Sequence, residues 1–97
     1  MKRSEPQSVG EIFDQVIRAA NLEDKFMAQR ALQLWGEVMG QPVNRRTARR
    51  YVDAQGVMHV VITSAPLKSE LEFMKSRIVE RLNEAVGAPV IKGLMIH

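Results

Sequence analysis

Three stretches of the chain carry apolar residues at the three- and four-residue spacing of one face of a helix. They cover residues 8–21, 23–39 and 66–86. The first stretch opens with a capping-box pattern, because Ser8 and Glu11 stand three residues apart. We predict a helix over each stretch, and we expect the first two helices to pack together because the connection between them is very short.

Glycine and proline mark the ends of these helices. Gly40 follows the second stretch, and Pro42 then prevents that helix from resuming. Pro66 suits the first turn of the third helix, which we predict to be continuous until Gly87. The buried faces are predicted to include Phe26, Met27, Ala31, Leu34, Trp35 and Val38 in the second helix, and Leu67, Leu71, Met74, Ile78, Leu82 and Ala85 in the third.

Shorter runs rich in β-branched residues predict three strands. Residues 47–54 and 57–63 form the first two, joined as a hairpin by a turn at Gln55–Gly56. The second run is almost continuously β-branched, which favours a central place in a sheet. Residues 90–96 form the third strand, and the long helix before it favours a parallel, right-handed crossover to the second strand. The order helix, helix, strand, strand, helix, strand indicates an α+β domain with helices on one face of a three-stranded sheet.

Length and composition are those of one small domain. The chain has 97 residues, of which 45% are hydrophobic and 26% charged. We expect a flexible polar leader over residues 1–7 and a single domain over residues 8–97. Domains of three helices and three strands include the K-homology type, which grips a nucleic-acid backbone with a G-x-x-G loop. That motif does not occur in this sequence, so we expect a K-homology-like domain without the usual grip.

Composition and motifs also exclude several classes of function. The absence of cysteine excludes disulfide scaffolds, thiolate metal sites and thiol nucleophiles. No phosphate loop of the G-x-x-x-x-G-K-[ST] type occurs, and neither His59 nor His97 stands in a recognisable catalytic arrangement. A polar N-terminus and the lack of a long apolar run favour a cytoplasmic protein without membrane contact. We therefore expect no enzyme activity, cofactor, metal or small-molecule substrate.

The strongest charge feature is a run of four arginines in six positions that contain no acidic residue: Arg45, Arg46, Arg49 and Arg50. Arginine binds phosphate in a bidentate manner and stays charged at every relevant pH, and the formal net charge of the chain is +3. Tyr51 follows directly and is suited to stacking on a base. Because side chains alternate along a strand, we expect Arg49 and Arg50 to point to opposite faces. A charged edge strand that resists aggregation, or contact with an acidic protein, would produce the same pattern.

Three further residues are candidates for binding. Lys68 and Lys75 stand a heptad apart in the third helix and would extend the basic surface, although the mixed charges of that helix are also typical of a solvated face. Trp35 is the only tryptophan. A single aromatic residue on a helical stripe belongs more often to the core than to a binding surface, and we keep both interpretations open.

Several elements of the sequence resemble the DciA-type family. Residues Trp35–Gly40 resemble its W-x-x-V-x-G element, and Thr47 stands at the place of its usual threonine. Residues 56–65 resemble its G-x-L-x-V-x-V-x-S-x strand. Glu70–Leu71 and residues 81–83 resemble its closing E-L and L-N elements. The resemblance covers nearly the whole chain.

This resemblance implies a K-homology-like domain without the G-x-x-G loop. It also implies a bacterial protein that assists loading of the replicative helicase and contacts DNA. Our hypothesis is a non-enzymatic adapter that binds nucleic-acid phosphates through the four arginines and presents a second surface near Trp35 to the helicase. A ribosome-associated RNA-binding protein and a purely protein-binding module remain the alternatives.

Overall fold

The computed structural model describes residues 22–97. The leader predicted over residues 1–7 and the helix predicted over residues 8–21 lie outside the described residues. The elements in chain order are α1 (Leu22–Met39), α2 (Gln41–Arg45), β1 (Thr47–Val52), β2 (Val57–Ile62), α3 (Ala65–Phe73), α4 (Lys75–Val86) and β3 (Gly93–Ile96). The described part of the chain is therefore an α+β fold.

The three strands form one mixed sheet in the order β1-β2-β3. β1 pairs with β2 in antiparallel orientation, and β2 pairs with β3 in parallel orientation. The predicted hairpin, the central position of β2 and its parallel pairing with the last strand are confirmed. A parallel pair needs a long crossover connection, which α3 and α4 supply.

The region after α1 contains a short helix that the sequence did not lead us to expect. Gly40 ends α1 with a backbone φ of 89°, and α2 begins at the next residue. Pro42 was predicted to prevent further helix, but it lies in the first turn of α2. A proline is tolerated there because the first turn of a helix needs no backbone N–H donor. As a consequence, α2 ends at Arg45 and only one residue separates it from the start of β1 at Thr47.

The predicted third helix is divided into α3 and α4 at Met74. This residue has φ −109° and ψ 9°, and its backbone N–H donates to the carbonyl of Leu71 at 3.0 Å, a tight three-residue turn. The prediction of one continuous helix with a buried Met74 is therefore wrong, since Met74 is 41% exposed. The break leaves the neighbouring Phe73 92% exposed.

The described helices pack on the face of the sheet that carries alternate residues of β2, and the core lies between them. Fully or almost fully buried residues are Ala28, Ala31, Trp35, Met58, Val60, Ile62, Leu71, Ile78, Leu82, Val90, Ile91, Leu94 and Ile96. Besides Met74, two predicted core residues lie outside the core. Phe26 is 68% exposed near the start of α1, and Ala85 is exposed on α4.

The connection from α4 to β3 is fixed by the side chain of Asn83. Its amide nitrogen donates to the carbonyl of Ile91 at 3.0 Å, and its amide oxygen accepts from the backbone N–H of Ile91 at 2.9 Å. Ile91 is buried, so both of its backbone groups need a partner within the protein. Asn83 thereby fixes the backbone position of Ile91, two residues before β3 begins. None of the helices in residues 22–97 has the length and apolar character needed to cross a membrane.

Candidate nucleic-acid interface

An irregularity at the start of β1 decides which side chain of that strand faces which side of the sheet. Thr47 pairs with Ile62, whereas Arg49 pairs with Val61, so Ala48 is an extra residue in β1. Such a bulge reverses the alternation of the residues that follow it. Arg49 therefore lies on the face opposite to that of Thr47.

The two faces of the sheet differ in burial. Along β2 the residues Met58, Val60 and Ile62 are buried against the helices, and the residues between them are partly exposed. Arg49 and Tyr51 pair with residues of the partly exposed set, which we call the open face.

Arg50 pairs with Val60 and so lies on the helix side, where its Nη1 atom donates to Asn44 Oδ1 at 3.3 Å. The prediction that Arg49 and Arg50 point to opposite faces is confirmed.

Arg45 and Arg46 lie at the junction of α2 and β1, and both are exposed. The backbone there is held in place, because the carbonyl of Arg46 accepts from the backbone N–H of Thr63 at 2.8 Å. We call Arg45, Arg46, Arg49 and Arg50 the arginine edge, since the first two lie just before the edge strand β1 and the last two lie within it. Within residues 22–97, none of these four side chains forms an ion pair. The charge of the arginine edge therefore faces solvent.

Three aromatic rings stand side by side on the open face, one from each strand or its end. Tyr51 and His59 have centroids 4.6 Å apart and planes 2° from parallel. His59 and His97 have centroids 5.2 Å apart and planes 10° from parallel. The guanidinium carbon of Arg49 lies 5.0 Å from the centroid of Tyr51, within the range of a cation–π contact. We call Tyr51, His59 and His97 the ring stack.

The hairpin loop anchors the ring stack through Asp53. One carboxylate oxygen, Oδ1, accepts from the backbone N–H groups of Gln55 at 2.9 Å and Val57 at 3.0 Å. The other, Oδ2, lies 2.8 Å from His59 Nε2. The hydrogen bond from His59, together with those from the backbone, lowers the pKa of Asp53 below its ordinary value of 3.8. Asp53 is thus held as a carboxylate that fixes both the turn and the imidazole.

The charge of Asp53 also determines one proton position in the ring stack. A carboxylate only accepts hydrogen bonds, so the Nε2 atom of His59 must carry a proton. The Nδ1 atom of His59 lies 2.9 Å from Nε2 of His97, and one of these two nitrogens donates to the other. Both ring nitrogens of His59 are occupied. The arrangement leaves His59 no free nitrogen with which to act as a general base.

The sequence pointed to Tyr51 as a candidate but did not show that His59 and His97 stack beside it. His59 and His97 are 38 residues apart and come together only because β2 and β3 are parallel neighbours. The alternation of side chains along β2 places His59 opposite Tyr51, but no short motif connects it to His97. Only a prediction of strand register could have found this cluster.

The two lysines expected to extend the basic surface lie in different places. Lys68 lies in the first turns of α3, which begins at Ala65. Two residues earlier, the backbone N–H of Thr63 donates to the carbonyl of Arg46. Lys75 pairs with Glu72 at 3.1 Å and lines a groove of about 350 Å³ beside β3. Because β3 is the edge opposite to β1, Lys75 is separated from the arginine edge by the width of the sheet, roughly 10 Å. The structure does not bring Lys75 to that surface.

Trp35 is completely buried in the core. Its ring is therefore not available at the surface, and a contact between this ring and a partner protein is not supported by its position. The indole N–H instead donates to the hydroxyl of Thr47 at 3.0 Å, so that Trp35 helps to position the first residue of β1.

Neither of the two cavities described among residues 22–97 contains His59. One is the groove of about 350 Å³ beside β3. The other, of about 590 Å³, lies between the start of α1 and the hairpin loop and is lined in part by Asp53. Across residues 22–97 there is no group of three or more His, Cys, Asp or Glu side chains placed to hold a metal ion.

An open sheet face, an edge strand that carries solvent-facing arginines and a fixed ring stack characterise this small α+β domain. No curated protein matches the chain. The family model described as "Dna[CI] antecedent, DciA" matches residues 8–96, which is nearly the whole chain. The protein therefore belongs to the DciA family, as the sequence elements around Trp35 and β2 indicated. Membership suggests involvement in loading the replicative helicase, and the family is not known as a catalytic one.

Proposed function

We propose that this protein is a cytoplasmic, non-enzymatic adapter that assists loading of the replicative helicase in bacterial DNA replication and contacts nucleic acid through the arginine edge. Family membership supports the part of the proposal that concerns the helicase. The nucleic-acid part rests on one observation. Four arginines lie in a single edge strand or just before it, all are exposed, and within the described residues none is neutralised by an acidic side chain.

The geometry favours contact with phosphates over readout of sequence. Arg45 and Arg46 lie at one end of β1, while Arg49 and Arg50 extend to either side of the same strand. Charges spread along and around an edge suit a flexible backbone that carries one phosphate per nucleotide, and such contacts position a nucleic acid without reading its bases. If three to five phosphates are contacted, the log–log dependence of affinity on salt should have a slope of about −2 to −4.

Other residues support the arginine edge in different ways. Lys68 adds positive charge on α3, the helix that follows β2, and Tyr51 offers an aromatic ring beside Arg49. Trp35 acts indirectly, because its hydrogen bond to Thr47 fixes the position at which β1 begins. We place the K-homology-like domain over residues 8–97, close to the range of the family match.

Fluorescence anisotropy with labelled single-stranded DNA and an RNA of matched sequence, over a series of salt concentrations, tests the proposal. The first variant replaces all four residues of the arginine edge with Gln. The matched control replaces four exposed cations elsewhere, Lys25, Arg30, Arg77 and Arg81, with Gln. Both variants lose the same formal charge, so long-range electrostatics alone would weaken both equally.

We expect the variant of the arginine edge to lose most of its affinity and the control to lose little. Equal losses, or no binding by the wild-type protein even at low salt, would contradict the nucleic-acid role and leave a module that binds only proteins. A clear preference for RNA would support the ribosome-associated alternative.

A further inference from the structure

The ring of Tyr51 has one covered face and one that points away from the sheet. His59 covers the inner face, with centroids 4.6 Å apart and nearly parallel planes. The ring stack runs across the strands, and β1 is the edge of the sheet, so within residues 22–97 no further strand lies beyond Tyr51. The ring is 37% exposed. Because His59 occupies the inner face, the Arg49 guanidinium, 5.0 Å from the ring centroid, lies over the outer one. A base reaches the outer face when the exposed Arg49 side chain moves aside to bind a phosphate.

The ring is also held in place before any ligand arrives. His59 supports it from behind, and His59 is itself held at both ring nitrogens by Asp53 and His97. A flat aromatic surface that is already fixed loses little side-chain freedom when another ring stacks on it. The sheet therefore presents Tyr51 as a rigid platform.

We propose that the outer face of Tyr51 is a stacking site for one unpaired base of a single-stranded nucleic acid, with the Arg49 guanidinium binding the phosphate of the same nucleotide. The proposal rests on the proposed function, because it assigns a base-binding site to the surface on which the arginine edge binds phosphates. Arg49 stands two residues before Tyr51 on the same face and lies 5.0 Å from its ring. Charge and stacking surface are thus within the reach of one nucleotide.

The same geometry selects single strands over duplexes. In a duplex each base face is covered by its neighbours in the stack, whereas an unpaired base can turn outward and lie on an aromatic ring. Stacking of this kind tolerates every base, because each has a π-face. The site therefore favours unpaired nucleic acid without favouring a sequence.

The test separates the base from the phosphate by using two labelled probes of equal length, oligothymidylate and the same backbone with abasic residues. Tyr51→Val removes the aromatic face and keeps a good strand former, while Tyr51→Phe keeps the ring. Phe73→Val is the matched control, since it removes an aromatic ring that is 92% exposed on α3. Thermal unfolding followed by fluorescence of the buried Trp35 verifies that each variant is folded.

We expect Tyr51→Val to weaken binding of oligothymidylate by about 5- to 100-fold, the range for loss of one base–aromatic stack. It should leave the affinity for the abasic probe and the slope of the salt dependence unchanged. Tyr51→Phe and Phe73→Val should bind both probes like the wild-type protein. A matched oligouridylate probe shows whether the site distinguishes DNA from RNA.

Two outcomes overturn the inference: equal affinity of the wild-type protein for both probes, or an equal loss for both probes in Tyr51→Val. Either result leaves the proposed function intact as long as the abasic probe binds through the arginine edge. If the abasic probe does not bind at any salt concentration, phosphate contact fails, and with it the proposed function.

Discussion

The indole N–H of Trp35 donates a hydrogen bond of 3.0 Å to the hydroxyl oxygen of Thr47. The same hydroxyl donates to the carbonyl of Val43 at 2.9 Å. One threonine side chain thus joins α1, α2 and the first residue of β1. It stands immediately before the bulge at Ala48, which directs Arg49 to the open face. The position of the arginine edge therefore depends on the hydrogen bond between Trp35 and Thr47.

Replacing Thr47 with Val tests this junction. The valine has nearly the same shape but leaves the buried indole N–H without an acceptor, which costs about 1–3 kcal/mol of the free energy of unfolding. Urea denaturation followed by the fluorescence of Trp35 measures the loss. Thr63→Val is the matched control, because its exposed hydroxyl donates to the carbonyl of Arg46 at 3.2 Å. We expect the control to lose less than about 0.5 kcal/mol, and similar losses in both variants would contradict the account.

Asn83→Ala should destabilise the protein by removing the two hydrogen bonds that hold Ile91. The backbone N–H and C=O of Ile91 would be left buried and unpaired, at about 1–3 kcal/mol for each group. Chemical denaturation measures the change, and Glu84→Ala, an exposed neighbour on α4, serves as the control. A loss for Asn83→Ala no larger than that of Glu84→Ala would show that the connection to β3 is not held in this way.

The destabilisation caused by Asp53→Asn, measured as a loss of free energy of unfolding, should depend on pH in a defined way. In the folded protein the hydrogen bond from His59 lowers the pKa of Asp53 below 3.8. The stabilisation that comes from its charge is therefore fully present above the unfolded-state pKa and disappears as pH falls through the folded-state pKa. The difference in free energy of unfolding between wild type and variant should be constant above about pH 5 and shrink below about pH 4. A difference that stays constant or grows on acidification would contradict the assignment.

Comparison of Gly56→Ala with Gly87→Ala distinguishes the cost of backbone strain from the cost of a steric clash. Both have positive φ, 87° and 89°, so alanine at either position costs about 1–2 kcal/mol for the left-handed backbone. A Cβ atom on Gly56 would lie 2.8 Å from Cγ of Lys92 and 3.2 Å from the carbonyl oxygen of Val90, whereas a Cβ atom on Gly87 meets nothing within 4 Å. Thermal or urea unfolding should show a larger loss for Gly56→Ala than for Gly87→Ala. Equal losses would mean that the hairpin loop moves freely away from Lys92.

Local pattern was sufficient to predict most of the elements in residues 22–97. The apolar stripe that ends before Gly40 predicted α1, and the β-branched run of β2 predicted a central strand. The long helical stretch before β3 predicted that β3 pairs with β2 in parallel. In each case the pattern arises from alternation or helical spacing within one element, which the sequence displays directly.

The break at Met74 escaped prediction because the apolar spacing continues through it. Leu71 and Ile78 are both buried and stand seven residues apart, as they would in one continuous helix. Phe26 was placed in the core because it continues the stripe of α1, yet the buried residues of α1 begin only at Ala28. Periodicity identifies a face of a helix but does not show how far the neighbouring elements extend along it.

The candidate site was predictable only where it is local. The arginine edge and Tyr51 are contiguous in the sequence. The bulge at Ala48 depends on the register with β2, and the contact between His59 and His97 depends on the register of β2 with β3. Register is set by long-range pairing, so the ring stack that supports Tyr51 was outside the reach of sequence reasoning.

A helicase-loading assay on closed circles of single-stranded DNA tests the central claim most directly. A bacterial replicative helicase is mixed with the circles and with wild-type protein, the Gln variant of the arginine edge, or the matched control variant. Helicase bound to DNA is measured after a salt wash. We predict that the wild-type protein and the control variant increase the helicase retained on the circles. The variant of the arginine edge should still form a complex with the helicase in pull-down but should not increase retention. Equal retention with that variant and the wild-type protein would contradict the claim that the arginine edge links the helicase to DNA.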